Sequence, residues 1–209
     1  MSRITPELTH DFLSSARVFA KAVRDVCEAA VLREVVGKRL TIPQLKLLYL
    51  VAQADAVTIG DAASFLGVTS PAASKTVEKL VRRRLLRRND TQGDRRTSQL
   101  SLTEASRRLL ETYEAARNQK AAEVFAQYSP EELQHTAELL DRVAVGIASQ
   151  GANQNSVCLQ CEIYFRPECR FGQFGGREQH CFYRLHKNPQ RDPLRTSTSG
   201  SEKDHTKEA

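Results

Sequence analysis

Apolar positions recur at helical spacing through residues 7–36, where Leu8, Phe12, Ala16, Phe19, Val23, Val26, Ala30 and Leu32 lie on or near one stripe. The pattern predicts one long first helix, and Gly37 supplies its stop. After Leu40, Thr41 can cap a second helix. Pro43 fits its first turn, and Leu45, Leu48, Tyr49, Val51 and Ala52 form its apolar face as far as about Asp55. Thr58 caps a short third helix over 59–66 that Gly67 ends, and Ser70-Pro71 opens a fourth reaching about Arg84. Two helices joined by the tight turn Gly67-Val68-Thr69 make a helix-turn-helix. Two short β-tolerant segments then flank the turn-rich stretch 89–93, which reads as a hairpin. Thr103 caps a long helix over roughly 104–127 with Glu104 in its first turn. Ser129-Pro130 starts a last one that runs through Leu133, Ala137, Leu140, Val143 and Ile147. The expected fold is mainly α with a small β-wing.

The fourth helix has two unlike faces. Ala73, Val77 and Leu80 fall at i, i+4 and i+7 and point to a core, whereas Ala72, Ser74, Lys75 and Lys79 offer a surface of small or basic residues. Small side chains permit close approach to a major groove, and Ser and Lys bring donors to base edges and phosphates. Such a face is equally compatible with ordinary solvated surface, so the distribution of charge matters. The chain of 209 residues carries a formal +6, yet residues 69–108 alone hold eleven Lys and Arg against four Asp and Glu. All of the net positive charge therefore sits in one block, as an electrostatic footprint for a polyanion would require. Within it the hairpin bears Asp94-Arg95-Arg96. A planar guanidinium is drawn to the strong negative potential of a narrow minor groove, and Asp94 is positioned in sequence to pair with one arginine and hold the other outward. Arg82, Arg83, Arg87 and Arg88 are expected to add nonspecific attraction or to solvate the hairpin base.

From Leu40 to Leu110 the sequence resembles the MarR family of dimeric winged helix-turn-helix transcription regulators. The resemblance is carried by Leu40-Thr41-Ile42-Pro43-Gln44, by the helix-turn-helix from Thr58 to Leu80, and above all by Asp94-Arg95-Arg96 followed by Leu100-Ser101-Leu102-Thr103. The order of helices extends it over about 7–148. Two departures stand out, Arg84 and Ser106, where many members of the family have glycine. The resemblance implies a homodimer on a pseudo-palindromic operator in double-stranded DNA. Ser70, Ala72, Ser74 and Lys75 would read the major groove, Lys79 a phosphate or groove edge, and Arg95 or Arg96 the minor groove. It also permits a small aromatic ligand between the dimerisation helices and the winged lobe. The implied organisation is a winged-helix domain over 1–150, with dimerisation helices in 1–36 and 104–150 and a DNA-binding lobe in 40–103. The net acidic character of 109–150 agrees, since it suits a partner helix better than DNA.

Beyond that domain, Cys158, Cys161, Cys169 and Cys181 crowd a short stretch with a C-x2-C pair at its head. No apolar run reaches membrane-spanning length and the start of the chain lacks the apolar core of a signal peptide, so a cytoplasmic protein is expected. In a reducing compartment clustered thiols point to metal or redox use. Residues 151–186 thus read as a Cys-rich module holding either zinc, closed by four thiolates, or an iron–sulfur cluster, favoured by the uneven intervals and the aromatic cover. A reversible disulfide is a third reading. His180 and His186 are spare ligands, and residues 187–209 have the composition of a disordered tail. Cys27 falls on the apolar side of the first helix and is expected to be buried and inert.

These features lead to a sequence-specific transcription regulator, a repressor, whose DNA affinity is modulated by the metal or cluster site. Two rivals are an iron–sulfur redox protein using the winged domain as an assembly platform and a nonspecific DNA-organising protein. No nucleophile–base pair, phosphate loop or paired carboxylates occur at a convincing spacing, so an enzyme is not expected.

Overall fold

A computed structural model of the chain describes residues 4–54, 56–89, 99–150 and 163–164, and its helix boundaries follow the capping residues. Helix α1 (Pro6–Ala22) begins at Thr5, whose hydroxyl accepts from the Leu8 amide at 3.2 Å. A π-helical segment (Val23–Ala30), α2 (Val31–Val36) and a 3-10 turn (Gly37–Arg39) continue the same path. Helix α3 (Ile42–Gln53) is entered through Thr41, whose amide donates to Gln44 Oε1 at 3.1 Å. Helix α4 (Ile59–Leu66) starts with a reciprocal capping box. The Asp61 amide donates to Thr58 Oγ1 at 3.2 Å and the Thr58 amide to Asp61 Oδ2 at 2.8 Å. Then come α5 (Ser70–Arg82), strands β1 (Leu86–Asn89) and β2 (Gln99–Leu102), α6 (Glu104–Phe125) and α7 (Pro130–Ser149). The fold is mainly helical with one two-stranded antiparallel sheet, as expected. Among the described residues no helix is long and apolar enough to cross a membrane.

The strands pair Leu86 with Leu102, Arg87 with Ser101, Arg88 with Leu100 and Asn89 with Gln99. A further bridge runs from the Leu100 amide to the Val57 carbonyl at 2.8 Å, which ties β2 to the entrance of α4. The core is built from the centre of the chain. Leu45, Leu47, Leu48 and Leu50 of α3, Ala62 of α4, Ala73, Val77 and Leu80 of α5, and Tyr113 of α6 are fully buried. Three buried leucines of the sheet, Leu86, Leu100 and Leu102, close it from below. By contrast α1 buries none of its residues, and Leu8, Leu13, Val18 and Phe19 stand exposed along it. On α7 the same is true of Leu133, Leu139 and Ile147.

Two local findings depart from the sequence-based expectation. The predicted single first helix is interrupted, because Val23–Ala30 is wound as a π-helix. The wider turn rotates the chain, so that Cys27, Glu28, Val31 and Leu32 face the core while Val26, placed on the same apolar stripe by a uniform period, is exposed. The second concerns Arg84, which adopts a left-handed backbone at φ +57°. It occupies the second position after α5, following the capping residue Arg83, where glycine is ordinarily found. Here the Leu85 amide reaches the Leu80 carbonyl at 2.9 Å and the Arg84 amide reaches that of Val81 at 2.9 Å. A side chain in that conformation costs about 1–2 kcal/mol. The Thr103 hydroxyl, which donates to the Arg84 carbonyl at 2.7 Å, helps to hold it. Ser106, the other departure from glycine, is fully buried and bonded: its amide donates to Thr103 Oγ1 at 3.2 Å and its hydroxyl to the Thr103 carbonyl at 2.8 Å. Serine therefore completes the cap of α6 and leaves no polar atom stranded.

Candidate nucleic-acid interface

Helix α5 is held by its apolar side against α4, where Ala73, Val77 and Leu80 meet the core that includes Ala62, Ala63 and Phe65. Burying that stripe turns the opposite face outward. Ser70, Ala72, Lys75 and Lys79 are exposed, and Ser74 is half-buried. Ser70, Ala72, Ser74 and Lys75 thus lie in the N-terminal half of the helix, outside the buried stripe, and Lys79 lies in its last turn. Thr76 is not available in the same way, since its hydroxyl donates to the Ala72 carbonyl at 3.0 Å. No ion pair with another described residue ties down Lys75, Lys79, Arg87 or Arg88, all exposed, so their charge faces solvent.

The sheet follows α5 directly and projects beside it. At its open end Asn89 Nδ2 donates to Ser101 Oγ at 3.1 Å, across the two strands. Asp94, Arg95 and Arg96, with the turn between the strands, lie outside the described residues. So do Cys158, Cys161, Cys169 and Cys181, along with the tail over 187–209. Among the described residues no group of three or more His, Cys, Asp or Glu side chains could hold a metal ion. Cys27 is buried, in keeping with its expected packing role, and His10 and His135 are exposed.

Arg83 has a different place from the one its sequence context predicts. Its guanidinium donates to the Arg39 carbonyl, bridging the end of α5 to the turn that follows α2. The two residues line a cavity of about 390 Å³ together with Val35, Val36, Leu40, Leu85 and Leu109. This largely apolar space with two arginines in its lining lies between α2 and the turn after it, the end of α5, and α6. Nothing in the sequence marks it, because its lining comes from four separate elements.

Residues 40–97 match the MarR family. No curated protein matches the chain. Its fold is similar to that of RV1404 from Mycobacterium tuberculosis, at 22% identity and a TM-score of 0.57 over 73% of this chain and 98% of that one. A MarR family protein from Bacillus stearothermophilus is similar at 18% identity and a TM-score of 0.58, over 70% and 99% of the two chains. Staphylococcus aureus MarR, solved in complex with salicylate and kanamycin, is similar at 18% identity and a TM-score of 0.55, over 70% and 96%. Over the part of the chain that aligns, the fold is that of these proteins.

Proposed function

We propose that this protein is a sequence-specific DNA-binding transcription regulator of the MarR type, acting as a homodimer and as a repressor. The observation that carries the reading is the accessible face of α5. It leaves Ser70, Ala72, Lys75 and Lys79 exposed and Ser74 half-buried, which supports the assignment of Ser70, Ala72, Ser74 and Lys75 to base edges and of Lys79 to a phosphate, with Arg95 and Arg96 following in the sequence between the two strands. The concentration of the chain's net positive charge in this same lobe supports it. Dimerisation is supported by the unpartnered leucines and Phe19 on α1 and α7, which one chain leaves exposed. We further propose that Cys158, Cys161, Cys169 and Cys181 hold zinc or an iron–sulfur cluster whose loss alters DNA affinity.

One experiment tests these parts together. Full-length protein purified without oxygen is analysed for metal and optical spectrum and then titrated against its own promoter region and against scrambled DNA. The promoter is expected to bind at least ~100-fold more tightly, and Arg95→Ala with Arg96→Ala to lose ~10- to 100-fold in affinity. Equal affinity for the two DNAs would move the protein to the nonspecific class. A brown protein absorbing near 400 nm identifies the cluster, stoichiometric zinc the alternative, and the absence of both removes the metal reading.

A second observation bears on the signal. The cavity of about 390 Å³ has room for a small aromatic carboxylate, with apolar side chains in its lining for the ring and Arg39 and Arg83 for the charge. Occupancy there would press on the end of α5 and the base of the sheet. Millimolar salicylate is expected to weaken the promoter complex at least ~5-fold, and Arg83→Ala to abolish the response. A response that survives in the variant places the ligand elsewhere.

A further inference from the structure

Next to Leu109, which lines the cavity at Arg39 and Arg83, α6 turns Leu110, Glu111 and Glu114 to a second and smaller recess of about 50 Å³. Tyr49 and Gln53 of α3 and Leu102 of β2 form its other walls. One water molecule takes about 30 Å³ of the liquid, so the recess admits a head group of a few heavy atoms.

Tyr49 is 3% exposed, and its hydroxyl is buried without a hydrogen-bond partner among the described residues. A buried hydroxyl left unbonded is costly, and each such group in a folded protein calls for a reason. Burial raises the Tyr49 phenol, and the Glu114 carboxylate nearby raises it further, so the group keeps its proton at neutral pH and stands beside negative charge. Glu114 is half-buried and Glu111 exposed, three residues apart on one side of α6. Neither forms an ion pair with another described residue. Arg107, exposed near the start of α6, also lines the recess and offsets one of the two charges. Arg117, the other cation near Tyr49, is engaged elsewhere. Its Nη1 donates to the Ile163 carbonyl at 3.1 Å, and its guanidinium lies 5.1 Å from the centre of the Tyr164 ring and 5.9 Å from that of Tyr113.

We propose that this recess binds the head of a small organic ammonium ion. The N–H groups of such a head are donors alone, and the two carboxylates, Gln53 Oε1 and the Tyr49 oxygen are acceptors for them. Its carbon chain would lie on Leu102, Leu110 and the Tyr49 ring. A divalent metal suits the recess less well, because it takes six or more oxygen ligands and two of these walls are leucines. An anion meets the wrong sign. The cavity at Arg39 and Arg83 has cationic side chains in its lining, so the two spaces beside α6 select opposite charges. The inference does not depend on DNA binding.

The test is calorimetric titration of the full chain with n-butylammonium, with butyrate and n-butanol as anionic and neutral probes of the same length. Butylammonium is expected to bind saturably and at least ~10-fold more tightly than either. Tyr49→Phe keeps the ring and removes only the oxygen. It is expected to weaken the amine ~3- to 10-fold while stability stays equal or rises, since the stranded hydroxyl is gone. A hydroxyl with a structural role alone would do the reverse, lowering stability and leaving affinity untouched. Glu114→Gln is expected to lose at least ~10-fold in affinity, and Glu131→Gln, exposed on α7, less than ~2-fold. Should Tyr49→Phe fail to fold, Glu114→Gln decides. The proposal is overturned by an amine that shows no saturation below ~10 mM, by butyrate or butanol binding as tightly, or by heats that both variants leave unchanged. Displacement of the amine by equimolar magnesium would equally overturn it, in favour of a metal site.

Discussion

A protein carrying Phe19→Asp and Leu139→Asp together is expected to sediment as a monomer and to bind promoter DNA at least ~100-fold more weakly than the parent. Phe19 is 47% exposed on α1 and Leu139 is 45% exposed on α7, in helices that pack little of their apolar surface within one chain. Covering such side chains is worth about 1.5–3 kcal/mol each, and a carboxylate buried without a partner reverses the sign of the contribution. The loss in DNA affinity has a separate cause. In the proposed dimer, two winged lobes joined in one particle would make the second DNA contact intramolecular, and that advantage would disappear on dissociation. Analytical ultracentrifugation reads the first effect and fluorescence anisotropy the second. A variant that stays dimeric would remove α1 and α7 from the interface.

Leu80→Ala is the substitution expected to cost most in stability, about 2–5 kcal/mol. Leu80 is fully buried on the inner side of α5, and truncating it leaves a void in the core cluster it shares with residues of α3, α4 and β1. Against a total stability of about 5–15 kcal/mol for a domain, that loss is large. Urea denaturation should show a lower midpoint with an unchanged slope. Lys79→Ala, one residue earlier and exposed, is the control: its stability should stay within about 0.5 kcal/mol of the parent. A Leu80→Ala loss below 1 kcal/mol would mean that α5 does not use this face for the core.

Gly67 and Arg84 show how much of this fold could be read in advance. Both end a helix with the same pair of backbone hydrogen bonds and a left-handed residue, Gly67 at φ +63° after α4 and Arg84 at φ +57° after α5. Glycine announces such a position because it alone adopts it without penalty. Arginine does not, and only the Thr103 hydroxyl, nineteen residues away, reveals how the turn is held. Ser106 was legible only as an oddity, and its role in the cap of α6 emerged from its bonds to Thr103. The face of α5 was fully legible, since the i, i+4, i+7 spacing of Ala73, Val77 and Leu80 decides which residues remain outside.

What the amino-acid order determined by itself is therefore local: caps at Thr41, Thr58 and Thr103, the helix-turn-helix, the flanks of the hairpin, and the buried side of α5. Caps and periodicity act over a few residues, so neighbouring letters suffice to state them. Only the tertiary structure decided the π-turn at Val23–Ala30, the cavity between Arg39 and Arg83, and the capture of Ile163 and Tyr164 by Arg117. Each of these depends on surfaces brought together from distant parts of the chain, where close packing rather than local propensity selects the backbone, and no short stretch of sequence contains both partners.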